Sequence, residues 1–184
     1  MAILKVARMG HPVLRKRAAP VPVAEITKPP FQRLIADMFD TMREYAGIGL
    51  AGPQVHEGLR VFVAGVREAA GPLGTLSDDG EMPLVALINP EVTLVGEAPA
   101  SAWEGCLSIP DIRGIVPRAP EVRVEAYDRH GKRVAFSATG LPARVIQHEA
   151  DHLDGILFFD RMSSLDSLAF MDEYRRFWTE DDAE

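Results

Sequence analysis

The chain has 184 residues, 47% of them hydrophobic and 26% charged, with a formal net charge of -7. That length and balance fit one soluble globular domain with room for a proper core, and the charge argues against a general nucleic-acid or membrane-surface binder. No stretch reaches the ~20 apolar residues of a membrane span, the N-terminal apolar run is too short for a signal peptide, and the expected compartment is the cytoplasm.

The N-terminal MAILKVARMGHPVLRKRA offers one candidate strand before the polar Arg15-Lys16-Arg17. ITKPPFQRLIADMFDTMREYAG then reads as a helix starting at Pro29-Pro30 and followed by Gly47. Leu34, Ile35, Met38, Phe39, Met42 and Tyr45 form its buried stripe, a core face and not a cofactor site. GIGLAGPQV, Gly47 to Val55, alternates glycine with aliphatic residues, which suits a turn or a backbone that something approaches closely. A phosphate loop is excluded, because the segment follows a helix and has no Lys-Ser/Thr pair. LRVFVAG and PLVALINPEVTLVGE are strand-like, and VREAAGPLGTLSDDGEM between them reads as an exposed loop.

The single cysteine, Cys106, rules out an intrachain disulfide. Its setting, WEGCLSIP, reads as a loop, and it leaves three roles open: a small buried hydrophobe, a nucleophile or a metal ligand. EVRVEAYDRHGKRVAFSATG alternates apolar and charged residues around His130-Gly131, the pattern of a hairpin with one solvated face. ILFFDRM is a candidate short strand, and SLDSLAFMDEYRRFW reads as a final amphipathic helix before an acidic tail, residues 179–184, expected to be frayed. The order of elements is not a regular βαβ alternation. It suits an α+β domain spanning 1–184, with mixed or antiparallel sheets around a central helix, a long N-terminal helix and a C-terminal helix.

That central helix carries QHEADHLDG, with Gly155 placed to end it. Positions i and i+4 lie ~40° apart in projection and ~6 Å apart along a helix. His148 and His152 can therefore aim two imidazoles at one ion, while Glu149 borders that face without ligating. Leu141, Val145, His148 and His152 share the apolar side, whereas Arg144, Gln147, Asp151 and Asp154 form a polar face. Two buried imidazoles beside a carboxylate are costly unless something satisfies them, and a metal ion is the simplest candidate.

Three segments in order, Gly47-Ile48-Gly49-Leu50-Ala51-Gly52-Pro53-Gln54, Glu104-Gly105-Cys106-Leu107-Ser108 and His148-Glu149-Ala150-Asp151-His152, resemble the signature of the peptide deformylase family. GHPVLRKRAAPV, LINPEV, CLSIP and DHLDG extend the resemblance over nearly the whole chain, with Gly52 standing where the family usually has Ala. The resemblance implies Cys106, His148 and His152 as ligands of one divalent ion, with iron(II) as the working metal and zinc, nickel or cobalt suited to the same donors. It implies Glu149 as the general base, and the Gln54 side chain with the Leu107 backbone N–H as donors to the oxyanion. The implied substrate is a formyl-methionyl nascent peptide, met at the ribosome or after leaving it. It would pair with Ile48, Gly49 and Gly105 and place its methionine in a pocket walled by Leu141 and Val145, with Arg113 at the mouth. Glu104 and Arg118 would pair behind the ligands.

Two rivals compete with this expectation. A general H-E-x-x-H peptidase would recruit a later ligand such as Glu173 and leave Cys106 idle. A non-catalytic docking module would use the final helix as its contact surface.

Overall fold

The computed structural model describes residues 2–65, 76, 82–96 and 98–179. Among the described residues, eight strands and four helices follow in order: α1 Val23–Ile26, α2 Pro29–Glu44, β1 Gly49–Ala51, β2 Val61–Ala64, β3 Val85–Val95, β4 Ala100–Cys106, β5 Ile109–Arg118, β6 Glu121–Tyr127, β7 Arg133–Thr139, α3 Gly140–Leu153, β8 Ala169–Phe170 and α4 Met171–Phe177. They build a five-stranded sheet, β1-β2-β3-β6-β7, and a three-stranded sheet, β4-β5-β8, all paired antiparallel. The α+β architecture expected from the sequence is the one observed.

The larger sheet changes character along its width. At β2, Val61 and Val63 pack toward Ile35, Met38 and Met42 of α2, while Phe62 and Ala64 pack in the cluster of Val145 and Ile146 of α3. Four consecutive buried residues result, because both faces are covered. Further out, β6 buries only Val122, Val124 and Ala126 and exposes Arg123 and Glu125, so it alternates. α3 therefore runs against one face of the sheet, and α2 closes the other.

α2 starts on Pro29-Pro30, where a missing N–H costs nothing. Its left-handed terminal residue is Ala46, with φ of 52°, and Gly47 follows. Of the expected stripe, Ile35, Met38 and Met42 are fully buried, but Tyr45 is 46% exposed and faces a cleft. Val85–Val95 and the β6–β7 hairpin stand where periodicity put them, with His130 exposed in the turn.

Several expectations need correction. The N-terminal segment forms no strand, and ties down instead through Ala7 N–H to Gln54 O at 2.7 Å and Met9 N–H to Ser108 O at 2.8 Å. WEGCLSIP is not a loop, since Cys106 ends β4 and Ile109 begins β5 around a tight turn. ILFFDRM forms a 3-10 turn, Phe158–Arg161, because Asp160 accepts the Leu157 N–H at 2.7 Å. The final helix starts only at Met171, because Ala169 and Phe170 pair with β5. The expected loop between β2 and β3 lies outside the described residues except for Leu76 and Met82, and so does the tail beyond Thr179.

Candidate active site

Two elements deliver the three donors of the site. α3 carries His148 and His152 one turn apart, with ring centroids 5.0 Å from each other. The β4–β5 turn brings Cys106 to them, leaving its Sγ 3.2 Å from His152 Nε2. One donor atom from each of these three residues lies within 4.8 Å of the others, close enough for a single ion. Glu173, which a general peptidase would need, is exposed on α4 and is not in this cluster.

The charge network behind the cluster sets its chemistry. His148 Nδ1 is 2.9 Å from Glu104 Oε2. Arg118 grips Glu104 with two bonds, Nε to Oε1 at 2.9 Å and Nη2 to Oε2 at 3.0 Å, and its third nitrogen reaches Asp151. Arg144 adds a bond to Glu104 Oε1 at 2.8 Å and ties down the carbonyls of Val116 and Ala100, while Arg161 holds Asp151 at 2.7 Å. Burial pushes the Glu104 carboxyl up, but the hydrogen bonds from His148 and Arg118 outweigh it and hold the pKa at about 2. Glu104 is thus an obligate acceptor, so His148 donates from Nδ1 and keeps Nε2 for the cluster. Gln147 and Asp151, expected on the polar face of the helix, are only 6% and 8% exposed, because this network and the backbone of Ala119 absorb their polar atoms.

Glu149 and His152 are placed differently. Glu149 Oε2 and His152 Nδ1 are buried with no hydrogen-bond partner. Burial, helped by the Glu104 charge and opposed by His148 and Arg118, raises the Glu149 carboxyl to about 7. Burial and the neighbouring His148 push His152 well below the ordinary imidazole value. At His148, burial works against the charged form, but Cys106 and Glu104 overcome it and raise the pKa well above normal. The pocket therefore favours one positive charge beside Cys106 and rejects a second at His152, which suits a cation shared by the three donors. A thiolate and two imidazoles, with a second layer orienting them, are a fitting donor set for a catalytic divalent metal.

Gln54 enters from the 3-10 turn after β1. Its Oε1 accepts the Ala51 N–H at 2.7 Å, and a backbone N–H can only donate, so the amide orientation is fixed. The NH2 then faces Cys106 Sγ at 3.6 Å and Ser108 Oγ at 3.2 Å. Gly49 explains the close approach expected at the glycine segment: a Cβ there would lie 2.2 Å from Glu149 Oε1. Gly52, the departure from the family pattern, is also crowded, since a Cβ would meet the Leu59 and Glu57 carbonyls at 2.8 and 2.9 Å.

A cleft of about 610 Å³ opens onto these groups. Its lining includes Ile48, Gly49, Gln54, Gly105, Cys106, Leu107, Arg113, Leu141, Val145, His148 and Glu149. Val145 is buried, but Leu141 is 53% exposed at the rim, so the apolar face of α3 opens into the cleft at its first turn. Sequence reasoning passed over Trp103 and Met171, which also line the cleft. Trp103 stands beside Glu104 in the cysteine motif and could have been flagged; Met171 carries no local signal. β1 and β4 are each the edge strand of a sheet, and residues of both border the cleft.

Among the described residues, no helix is long and apolar enough to cross a membrane. The family model for polypeptide deformylase matches residues 3–167. Peptide deformylase 2 of Nostoc sp. is 38% identical over 177 residues, 96% of either chain. Peptide deformylase of Heliobacterium modesticaldum is 43% identical over 164 residues, covering 89% of this chain and 97% of the relative. Among solved structures, the Met-Ala-Ser-bound class I type b peptide deformylase from Acinetobacter baumannii superposes with a TM-score of 0.78 at 37% identity, over 88% of this chain and all of that one. The Thermotoga maritima peptide deformylase gives a TM-score of 0.76 at 36% identity, over 89% and 100%. With sequence and fold agreeing over most of its length, the chain belongs to the peptide deformylase family.

Proposed function

We infer that the cleft carries out the family's reaction through the residues just described: removal of the N-formyl group from the N-terminal methionine of nascent polypeptides, with release of formate. The observation that carries the assignment of roles is the convergence of Cys106, His148 and His152 beside a buried carboxylate whose Oε2 has no partner.

Cys106 Sγ and one ring nitrogen each of His148 and His152 would hold the metal. A divalent ion there supplies Lewis acidity, polarising the formyl carbonyl and making water nucleophilic at neutral pH. Glu149 takes the proton of the attacking water and passes it to the departing amine nitrogen. The Gln54 NH2, aimed by the Ala51 N–H, and the Leu107 N–H donate to the formyl oxygen as it gains charge. The peptide lies extended between the open edges of β1 and β4, using backbone groups of Ile48, Gly49 and Gly105. Its methionine side chain fills the apolar space against Val145 and Leu141, near Arg113.

Iron(II) is the proposed resident ion; zinc, nickel and cobalt suit the same donors. We place the reaction in the cytoplasm, on chains emerging from the ribosome, and take 1–184 as one catalytic domain. The test is formate release from formyl-Met-Ala-Ser together with metal analysis of anaerobically purified protein. Cys106→Ala should lose most of its metal and its turnover; full occupancy in that variant would favour the general peptidase. The iron form should lose activity in air while the nickel form persists, because oxidation reaches both the ion and its thiolate. Equal lifetimes would remove iron from the proposal.

A further inference from the structure

GHPVLRKRAAPV, residues 10–21, belongs to the family resemblance but has no part in the reaction just described. With the residues before it, this segment forms a strap that touches three elements of the site. The Ala7 N–H donates to Gln54 O at 2.7 Å, and the Met9 N–H to Ser108 O at 2.8 Å. Farther on, the Ala18 N–H donates to Leu153 O at 2.8 Å, at the end of the helix that bears His152. A Cβ on Gly155 would lie 2.8 Å from the Arg15 carbonyl, so the strap packs closely against that helix end.

The first two bonds cross a gap between the sheets. Gln54 follows β1 of the five-stranded sheet, whereas Leu107 and Ser108 form the β4–β5 turn of the three-stranded one. Among the described residues the two sheets share no strand, so no ladder fixes the spacing of Gln54 from Leu107. Ala7 and Met9 are two residues apart and span at most ~7 Å of chain. By holding Gln54 O and Ser108 O, they limit how far the two turns can separate. The strap is itself fixed at His11. The Nδ1 of His11 accepts the Val13 N–H at 3.2 Å and starts the 3-10 turn Pro12–Arg15. Its ring meets the His56 ring edge-on, with centroids 4.7 Å apart. His56 closes the turn that carries Gln54, in a left-handed conformation with φ of 66°.

We propose that Ala7 to His11 set the distance between the two oxyanion donors, Gln54 and Leu107, with His11 and His56 as positioning residues. The inference rests on the deformylase reading and deepens it. Neither ring lines the cleft, so both act through the turn that aims Gln54.

The test measures kcat, KM and metal content on formyl-Met-Ala-Ser for His11→Asn, His56→Asn and the double variant. Asn keeps an acceptor for the Val13 N–H at position 11 and tolerates left-handed backbone at position 56, so only the ring contact is lost. Each single variant should lower kcat by about three- to tenfold, the scale of one aromatic contact, with KM and metal content near native. The double variant should fall no further than the worse single one, because both remove the same contact. Gln54→Ala should still turn over, at a rate ~10²–10³-fold lower, and adding either Asn to it should cost nothing more. Native kcat in both single variants overturns the strap and leaves the deformylase reading standing. The same loss repeated on top of Gln54→Ala overturns it equally, since the rings would then act without Gln54. No formate from the native enzyme overturns both.

Discussion

His148 and His152 sit one turn apart on the same helix and live in opposite surroundings. His148 donates to Glu104, which Arg118 and Arg144 grip, and Arg118 passes on to Asp151 and Arg161, so this flank is hydrogen-bonded throughout. On the other flank, His152 Nδ1 and Glu149 Oε2 are buried with nothing to bond. An unsatisfied buried group costs about 1–3 kcal/mol, and such groups are rare in folded proteins. The partnered flank fixes where the donors stand. The unpartnered flank leaves one carboxylate oxygen and one ring nitrogen buried without a bond.

The contrast breaks first at Glu149. Glu149→Gln keeps the size and the neighbours but cannot accept a proton. Its kcat on a formyl-methionyl peptide should fall by ~10²–10⁴ or more, with metal content and Tm near native. A loss below about tenfold with metal retained would remove Glu149 as the base. Arg118→Ala should act the other way round. It strips partners from two buried carboxylates at once, and removing one member of a buried ion pair typically costs about 3–5 kcal/mol of stability. Urea denaturation reads this directly, and an unchanged midpoint would mean that Arg144 and Arg161 suffice alone.

Glu104→Gln sharpens the comparison at its border. An amide loses the charge that sets the His148 tautomer, so chelator competition should show metal affinity weaker by roughly 10–100-fold. Unchanged affinity would mean that backbone packing alone orients His148. The smallest effect belongs to Asp160, on the surface. Its burial is slight and pushes its pKa up, but Arg15 and the Leu157 N–H outweigh that and lower it. A depressed carboxyl pKa stabilises above the unfolded value near ~3.9, and the contribution fades as pH falls through the folded value. Asp160→Asn should therefore lower Tm slightly at pH 7, within the ~0.2–1 kcal/mol of an exposed pair. The gap from native should narrow in acid; a gap that widens instead would contradict the lowered pKa.

How legible this was in the sequence differs by element. α2, the β6–β7 hairpin and α3 follow apolar periodicities that burial on one face enforces, so pattern alone finds them. β4 and β8 break those patterns. β4 exposes much of its length and turns toward a cleft instead of a core, and β8 is two residues long. The burial of Gln147 and Asp151 is hidden for a related reason: a polar helix face gives no sign of it until its distant partners, Arg118 and the Ala119 backbone, are known. His148 and His152 were visible from helical spacing. Cys106 joins them only through folding, and the family motif was the one sequence signal that linked the three.

The Gly49 contact limits how this site can change. Its backbone lies where any side chain would strike the Glu149 carboxylate, the nearest oxygen 2.2 Å from a Cβ. A molecule that blocks the enzyme by lying along the β1 edge at this point meets a position that cannot be enlarged to repel it. Even alanine would displace the Glu149 carboxylate. Escape from such a blocker would have to arise at positions farther from Glu149, and residue 49 is a durable place for an inhibitor to lean.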